Sequence, residues 1–193
     1  MVMEVIMNNT KIKFLNILLI IGILGGTLLT AIFNYLPSHL ATYWASILVV
    51  LVPIILKLTI FKLDDVDCLV YYIFVFFSYF IGSVINLYNT TEYYDVIMHF
   101  LSGFIISYFA IVVLKRLNMY KASNRLFNFI FCVFFAAGAA CIWEIAEFSI
   151  DQLTASNLQH NLDTGVIDTM GDMICGTVGG IIFSTYMLLK NKK

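Results

Sequence analysis

The sequence predicts an all-α, polytopic integral membrane protein of six transmembrane helices with both termini in the cytoplasm. Three observations predict it. Hydrophobic residues make up 61% of the 193-residue chain and charged residues only 12%, against about 45–50% and about 25% in soluble domains. A soluble fold of this size buries only about 70% of its chain's surface, so much of this apolar surface must face lipid. Finally, the apolar residues gather into runs of bilayer length, and the basic residues all fall on one side of them.

Crossing the hydrocarbon takes about 20 mostly apolar residues. Six segments qualify, near residues 14–33, 40–61, 67–87, 95–114, 126–147 and 169–189. Lys11 and Lys13 precede the first, as in a signal peptide, but the run from Phe14 to Phe33 shows no small-x-small cleavage pattern and reads as an uncleaved span. The second carries Pro53, expected to kink it. The aromatic third span, with Phe74, Phe76, Phe77, Tyr79 and Phe80, reads as lipid-facing bulk. In the sixth, Asp172, Gly176 and Gly180 recur at four-residue steps with Gly179 beside them; small residues so spaced admit a second helix at close range. The fourth span, with Gly103 on the face of His99, is the expected partner. The short connections predict a single membrane domain over residues 1–193. Cys68, Cys132, Cys141 and Cys175 lie in or beside apolar runs and read as free thiols.

The basic residues set the orientation. Lys11 and Lys13 precede span one; Lys57 and Lys62 lie at the turn after span two. Lys115, Arg116, Lys121 and Arg125 fill the turn after span four, and Lys190, Lys192 and Lys193 form the tail. With six crossings all of them share one face, which the positive-inside rule assigns to the cytoplasm of a cell membrane. A miscounted helix would scatter them over both faces. The net charge of −1 gives no field directed at nucleic acid.

The acids divide differently. Glu4, Asp64, Asp65 and Asp67 lie inside among the basic residues. Glu92, Asp95, Glu144, Glu147, Asp151, Asp163, Asp168 and Asp172 lie at or near the outer face, with no Lys or Arg on that side. Asp95 and His99 share a helix face four residues apart. Glu144, Glu147 and Asp151 fall within about 60° around the fifth span, and Asp168 and Asp172 again lie four apart.

Asp95 and Asp168 sit where helices begin, and the positive dipole end there favours acids. Asp151 and Asp163 read equally well as loop charges. Glu144 and Glu147 have no such excuse: they lie in an apolar span that ends outside, where an acid costs about 2.5–3.5 kcal/mol. The expected core is therefore His99, Glu144, Glu147 and Asp172, with Asp95, Asp151 and Asp168 in support. Carboxylates around one imidazole suit a divalent ion such as Mg²⁺, Mn²⁺, Ca²⁺, Fe²⁺ or Zn²⁺. Shared protons are the other way to relieve the crowding. The 155–165 connection, with His160 and Asp163, is long enough to fold over the cluster.

The motifs Tyr94-Asp95-x-x-x-His99-Phe-x-Ser-Gly103, Trp143-Glu144-x-x-Glu147-x-x-x-Asp151 and Asp168-Thr-x-Gly171-Asp172 occur in this order. In that combination the chain resembles the YjdF-like family of bacterial inner-membrane proteins over roughly residues 90–180. A fainter similarity is to VanZ-like proteins, which are associated with glycopeptide resistance and carry a comparable Asp-x-x-x-His helix opening. The resemblance implies the fold and the place of the site, with a lean toward cell-envelope work.

Three functions fit these residues. In the first, a metal-dependent hydrolase acts on a lipid or lipid-linked envelope substrate, with His99, Glu144, Glu147, Asp172, Asp95, Asp168 and Asp151 as metal ligands and Glu144 and Glu147 also as acid/base groups. The alternatives are a proton- or cation-coupled small-solute transporter, and a non-catalytic membrane protein with a structural ion site. The missing outer Arg or Lys, the usual phosphate holders, leaves that work to a metal. The inverted repeats and broken helices of many transporters are not evident.

The orientation is testable by itself. In a background with the native cysteines replaced, Asn89→Cys in intact cells should react with an impermeant maleimide, and Ala122→Cys should react only after lysis.

Overall fold

The computed structural model describes residues 9–34, 37–154, 157–159 and 161–190, and side chains at all of these except 34, 37–43, 161 and 163. His160, and the side chain of Asp163, lie outside the described residues, so the expected cover over the cluster is described only at residues 157–159. Every regular element among the described residues is helical. The elements are α1 (Asn9–Asn34), α2 (Pro37–Lys57), α3 (Asp65–Val75) with a π-helical continuation (Phe76–Val84), α4 (Leu87–Thr90), α5 (Tyr94–Arg116), α6 (Arg125–Thr154), α7 (Asn161–Thr164) and α8 (Ile167–Lys190). Five helical stretches are long and apolar enough to cross a membrane: Asn9–Phe33, Asp65–Val84, Tyr94–Arg116, Arg125–Thr154 and Ile167–Lys190. A shorter apolar stretch, Trp44–Lys57, lies within α2.

The contacts divide the chain into two compact units, Met1–Glu92 and Tyr93–Lys193. In the first, α1 packs on α2, α3 and the π-helical segment. Asp64 caps α3, accepting from the backbone N–H groups of Val66 and Asp67, while Asp67 accepts in return from the N–H of Asp64. Such reciprocal caps satisfy donors a helix start leaves free. The Tyr71 and Tyr72 hydroxyls donate to the carbonyls of Val49 and Val50 at 2.9 and 3.0 Å, pinning α3 to α2. Asp65 pairs with Lys57, and its backbone carbonyl accepts from the Asn16 amide at 2.9 Å.

Two expectations need correction here. The second span ends at Lys57 rather than near residue 61, because the chain turns at Leu58–Lys62 and Lys62 takes a left-handed conformation (φ 41°). Nor are the third span's aromatics all lipid-facing. Phe76 and Phe80, with ring centroids 5.4 Å apart, lie over Gly22 and Gly26 of α1. A Cβ on Gly26 would come within 2.4 Å of the Phe80 ring; only the absence of a side chain there lets the ring seat. Of the five, Phe77 alone is fully exposed, at 49%. Pro53 is buried within an α2 that runs unbroken through it.

The second unit is a bundle of α5, α6 and α8. The contact of α5 with α8 is the tightest. A Cβ on Gly103 would lie 1.7 Å from the carbonyl oxygen of Gly176, and one on Gly179 would lie 2.0 Å from that of Phe100. Gly180 meets the Ala136 side chain of α6 in the same way, so both partners come close to α8 along one small-residue stripe. Away from the acidic end, Ala110, Ile111, Leu114, Cys132 and Phe183 form the buried core, and Phe104 stands edge-on to Phe183 at 5.0 Å. Ser107 ties α5 to α6 by donating to the Cys132 carbonyl at 3.3 Å. All four cysteines are free. Large apolar side chains such as Phe134, Ile142 and Leu126 remain 74%, 68% and 65% exposed, the pattern of a lipid-facing surface.

These contacts rank the glycines. Gly103→Val and Gly179→Val should each lower the thermal midpoint of the purified protein sharply, because backbone must move. The cost should be at or above the roughly 1–3 kcal/mol of ordinary overpacking. Gly138→Ala, where no atom lies within 4 Å of the new methyl, should raise stability by about 0.5–1 kcal/mol through helix propensity.

Candidate metal centre

The bundle brings three of the expected site residues together. α5 opens after Tyr93, which is left-handed and makes no side-chain cap, so Asp95 lies in the first turn without serving as the N-cap. Its carboxylate instead turns along the helix to His99: Asp95 Oδ1 is 3.3 Å from His99 Nε2. Asp172 arrives from α8, its Oδ2 3.8 Å from the same nitrogen. One donor atom from each residue lies within 4.8 Å of the other two. Two ligands of a single ion, each about 2.1–2.4 Å from it, stand at most about 4.2–4.8 Å apart. The triad therefore fits one small cation. It is also enclosed, with Asp172 5%, His99 12% and Asp95 30% exposed at the side chain.

The stripe of glycines delivers Asp172. Gly176, one turn on, packs beside the His99 carbonyl, at 3.6 Å from an added Cβ. Any larger residue at Gly103 or Gly179 would push α8 off α5, and the carboxylate with it.

The α6 acids sit around this triad. Glu144 is buried at 4% exposure, with Oε2 accepting from the Gln159 amide at 3.2 Å and Oε1 without a hydrogen-bond partner. Glu147 accepts from the Trp143 indole N–H at 2.8 Å. Both lie within electrostatic range of His99. Asp168 occupies the first turn of α8, where the positive end of the helix dipole favours it.

Asp151 requires a correction. It lies inside α6, which continues to Thr154 rather than ending near residue 147. No Pro or Gly interrupts residues 148–154, and Ser149 and Thr154 return their hydroxyls to carbonyls one turn back. The extension weakens one physical argument: Glu144 and Glu147 stand well back from the helix end, beyond reach of the negative dipole. What makes Glu144 costly is burial with one oxygen unpartnered.

Asp151 has a different task. Its carboxylate accepts from the backbone N–H groups of Leu158 and Gln159, at 2.8 and 3.1 Å. That clasp folds residues 157–159 back along α6 and carries the Gln159 side chain to Glu144, where it also donates to the backbone carbonyl at 3.0 Å. Sequence reasoning passed over Gln159, because a neutral amide in a connection carries no charge or spacing signal. Trp143 was visible only as part of a motif, and its contact with Glu147 gives it a role.

The fold and cluster define a class: a helical, multi-pass membrane protein with a His/carboxylate group at one end of a three-helix bundle. The chain belongs to the family described as "Predicted membrane protein (DUF2238)", whose match runs over residues 15–193 and which is the family of the YjdF-like proteins. The match extends well beyond the 90–180 stretch that carried the resemblance. A curated relative from Thermotoga maritima, described as an uncharacterized protein, is 30% identical over 114 residues, covering 56% of this chain and 57% of the relative. The chain thus matches little more than half of that relative's length. No solved structure matches.

Proposed function

We propose that Asp95, His99 and Asp172 bind a divalent cation at the extracytoplasmic surface of the cell membrane. We propose further that the protein uses it to hydrolyse a lipid or lipid-linked envelope substrate. The observation that carries this reading is the convergence of three donor atoms within 4.8 Å, in a half of the bundle that has many acids and no Lys or Arg. Carboxylates held this close repel one another unless a cation or a shared proton lies between them.

The topology belongs to the same reading. α2 is 21 residues long, about 31 Å at 1.5 Å per residue, enough for a sixth crossing within one membrane domain. Six crossings leave both termini beside the basic residues, in the cytoplasm.

Each residue then has a task. Asp95, His99 and Asp172 hold the ion, which when bound supplies Lewis acidity toward a phosphate or ester oxygen. Glu144 Oε1, buried and unpartnered, is placed to take a proton from an attacking water. Glu147, oriented by Trp143, is the second acid/base group, and Asp168 and Asp151 supply outer charge and loop anchorage. Gln159 holds Glu144 in place until substrate displaces it.

A second reading draws on the α5–α8 contact. The triad joins these helices one turn from where their backbones touch at Gly103 and Gly176, so the ion would serve as a clamp without turnover.

Metal analysis after loading and desalting is the test. The wild-type protein should hold about one divalent ion per chain, and His99→Ala and Asp172→Asn less than a tenth of that. Glu144→Gln should keep the ion and, on the enzyme reading, lose at least 100-fold in hydrolysis of phosphorylated lipids; turnover absent from wild type as well would leave the clamp. Wild-type protein without metal above a buffer control would end the metal-site reading.

A further inference from the structure

The opposite end of the same bundle holds a second polar site. α6 begins at Arg125, and Asn128 follows one turn on. Arg125 Nη1 is buried and has no hydrogen-bond partner among the described residues, and the same is true of Asn128 Oδ1. Asn128 is 6% exposed, and its orientation is fixed, because its Nδ2 donates to the Lys121 carbonyl at 3.0 Å. The oxygen is thereby left pointing away from that bond with nothing to accept from. Both residues line one cleft with Tyr120, Ser184, Met187 and Leu188. Ser184 donates its hydroxyl to the Gly180 carbonyl, which leaves it no proton for Asn128 Oδ1.

The charge is as unbalanced here as at the other end, with the sign reversed. No Asp or Glu occurs from Phe100 to Trp143 or after Asp172, whereas Lys115, Arg116, Lys121 and Lys190 stand at this end of the helices. A partly buried guanidinium with no anion beside it among the described residues is costly. A water molecule would satisfy Nη1 and Oδ1 as hydrogen-bonding atoms but would leave the charge uncompensated. The occupant needs an anionic acceptor for Arg125 and a donor for Asn128 together. Guanidinium pairs with phosphate through parallel N–H donors. Met187 and Leu188 give the cleft an apolar wall.

We propose that this cleft binds the headgroup of a membrane phospholipid, its phosphate on Arg125 and a headgroup hydroxyl or ammonium donating to Asn128 Oδ1. A lipid is favoured over soluble phosphate because the site combines this polar pair with an apolar wall at the end of membrane-length helices. The inference is independent of the metal centre, which uses none of these residues.

The test is native mass spectrometry of the full-length, delipidated protein in detergent, titrated with phosphatidylglycerol, phosphatidylcholine or inorganic phosphate. One phosphatidylglycerol should bind per chain at a concentration at least tenfold below that needed for phosphatidylcholine, whose headgroup has no donor. Arg125→Gln removes the charge and keeps donors; Asn128→Asp supplies a carboxylate three residues from Arg125, able to pair with it internally. Each should weaken phosphatidylglycerol binding at least tenfold, whereas Lys190→Ala, outside the pair, should change it less than twofold. Equal binding by wild type and both variants would overturn the proposal, as would equal retention of the two lipids. Displacement of the lipid by inorganic phosphate at matched concentration would show a soluble phosphate site and overturn it as well.

Discussion

The backbone contact between α5 and α8 is the constraint on which the second unit depends. Gly103 meets the Gly176 carbonyl and Gly179 meets that of Phe100 at distances no side chain permits. In lipid no hydrophobic effect drives helices together, so van der Waals contact between bare backbones must supply the attraction. Because Gly176 and Asp172 are one turn apart on one face, the contact that joins the helices also sets the depth of the carboxylate beside His99. Packing and site have a common origin in four-residue spacing. α6 joins the same stripe through Ala136 and Ala140, small residues opposite Gly180 and Gly176, and so brings Glu144 to the triad from a third side.

Charge is arranged against this scaffold in two opposed ends. At one, Asp95, Asp172, Glu144 and their neighbours surround a single imidazole; at the other, Arg125 stands with Lys115, Arg116, Lys121 and Lys190, in stretches of sequence that carry no Asp or Glu. Each end carries buried polar atoms without partners, Glu144 Oε1 at the first and Arg125 Nη1 and Asn128 Oδ1 at the second. Orphaned buried polar atoms are rare, and each calls for an explanation, a bound water or ion among them. On the two proposals made above, the ends take opposite guests, a cation and an anion. Asp151 shows how an acid can instead be consumed structurally: two backbone N–H groups occupy its oxygens and thereby fasten the Gln159 strap.

Much of this was legible in the sequence, and the exceptions have physical causes. Helix positions could be read because lipid demands long apolar runs, and the glycine stripe of α8 pointed to α5 and to Gly103. The Gly22 and Gly26 pair in α1, at the same spacing, went unread although it seats Phe76 and Phe80. In an all-apolar neighbourhood neither glycine nor phenylalanine announces which face is inward. Asp95 was ranked as support because helix starts favour acids in general; only side-chain direction shows it turned to His99 rather than to the cap. Glu147 lies outside the three-donor group, and the Trp143 indole orients it. Gln159 and the Asn128 orphan left no trace in composition, since a neutral amide gains meaning only from what stands opposite it. An apolar run of bilayer length closes near Glu147, but nothing in residues 148–154 breaks a helix, so α6 continues to Thr154.

In the proposed metal centre, positive charge from a bound cation relieves the crowding of acids around His99. Thermal unfolding of the purified protein in chelator, then in rising concentrations of Mg²⁺, Mn²⁺, Ca²⁺, Fe²⁺ or Zn²⁺, tests it most directly. A ligand bound only by the folded state stabilises by about 2.7 kcal/mol at one hundred times its dissociation constant. The account predicts that at least one of these ions raises the midpoint by several degrees in wild type and leaves Asp172→Asn unmoved. A wild-type midpoint indifferent to all five ions, with Asp172→Asn at least as stable in chelator, would contradict it.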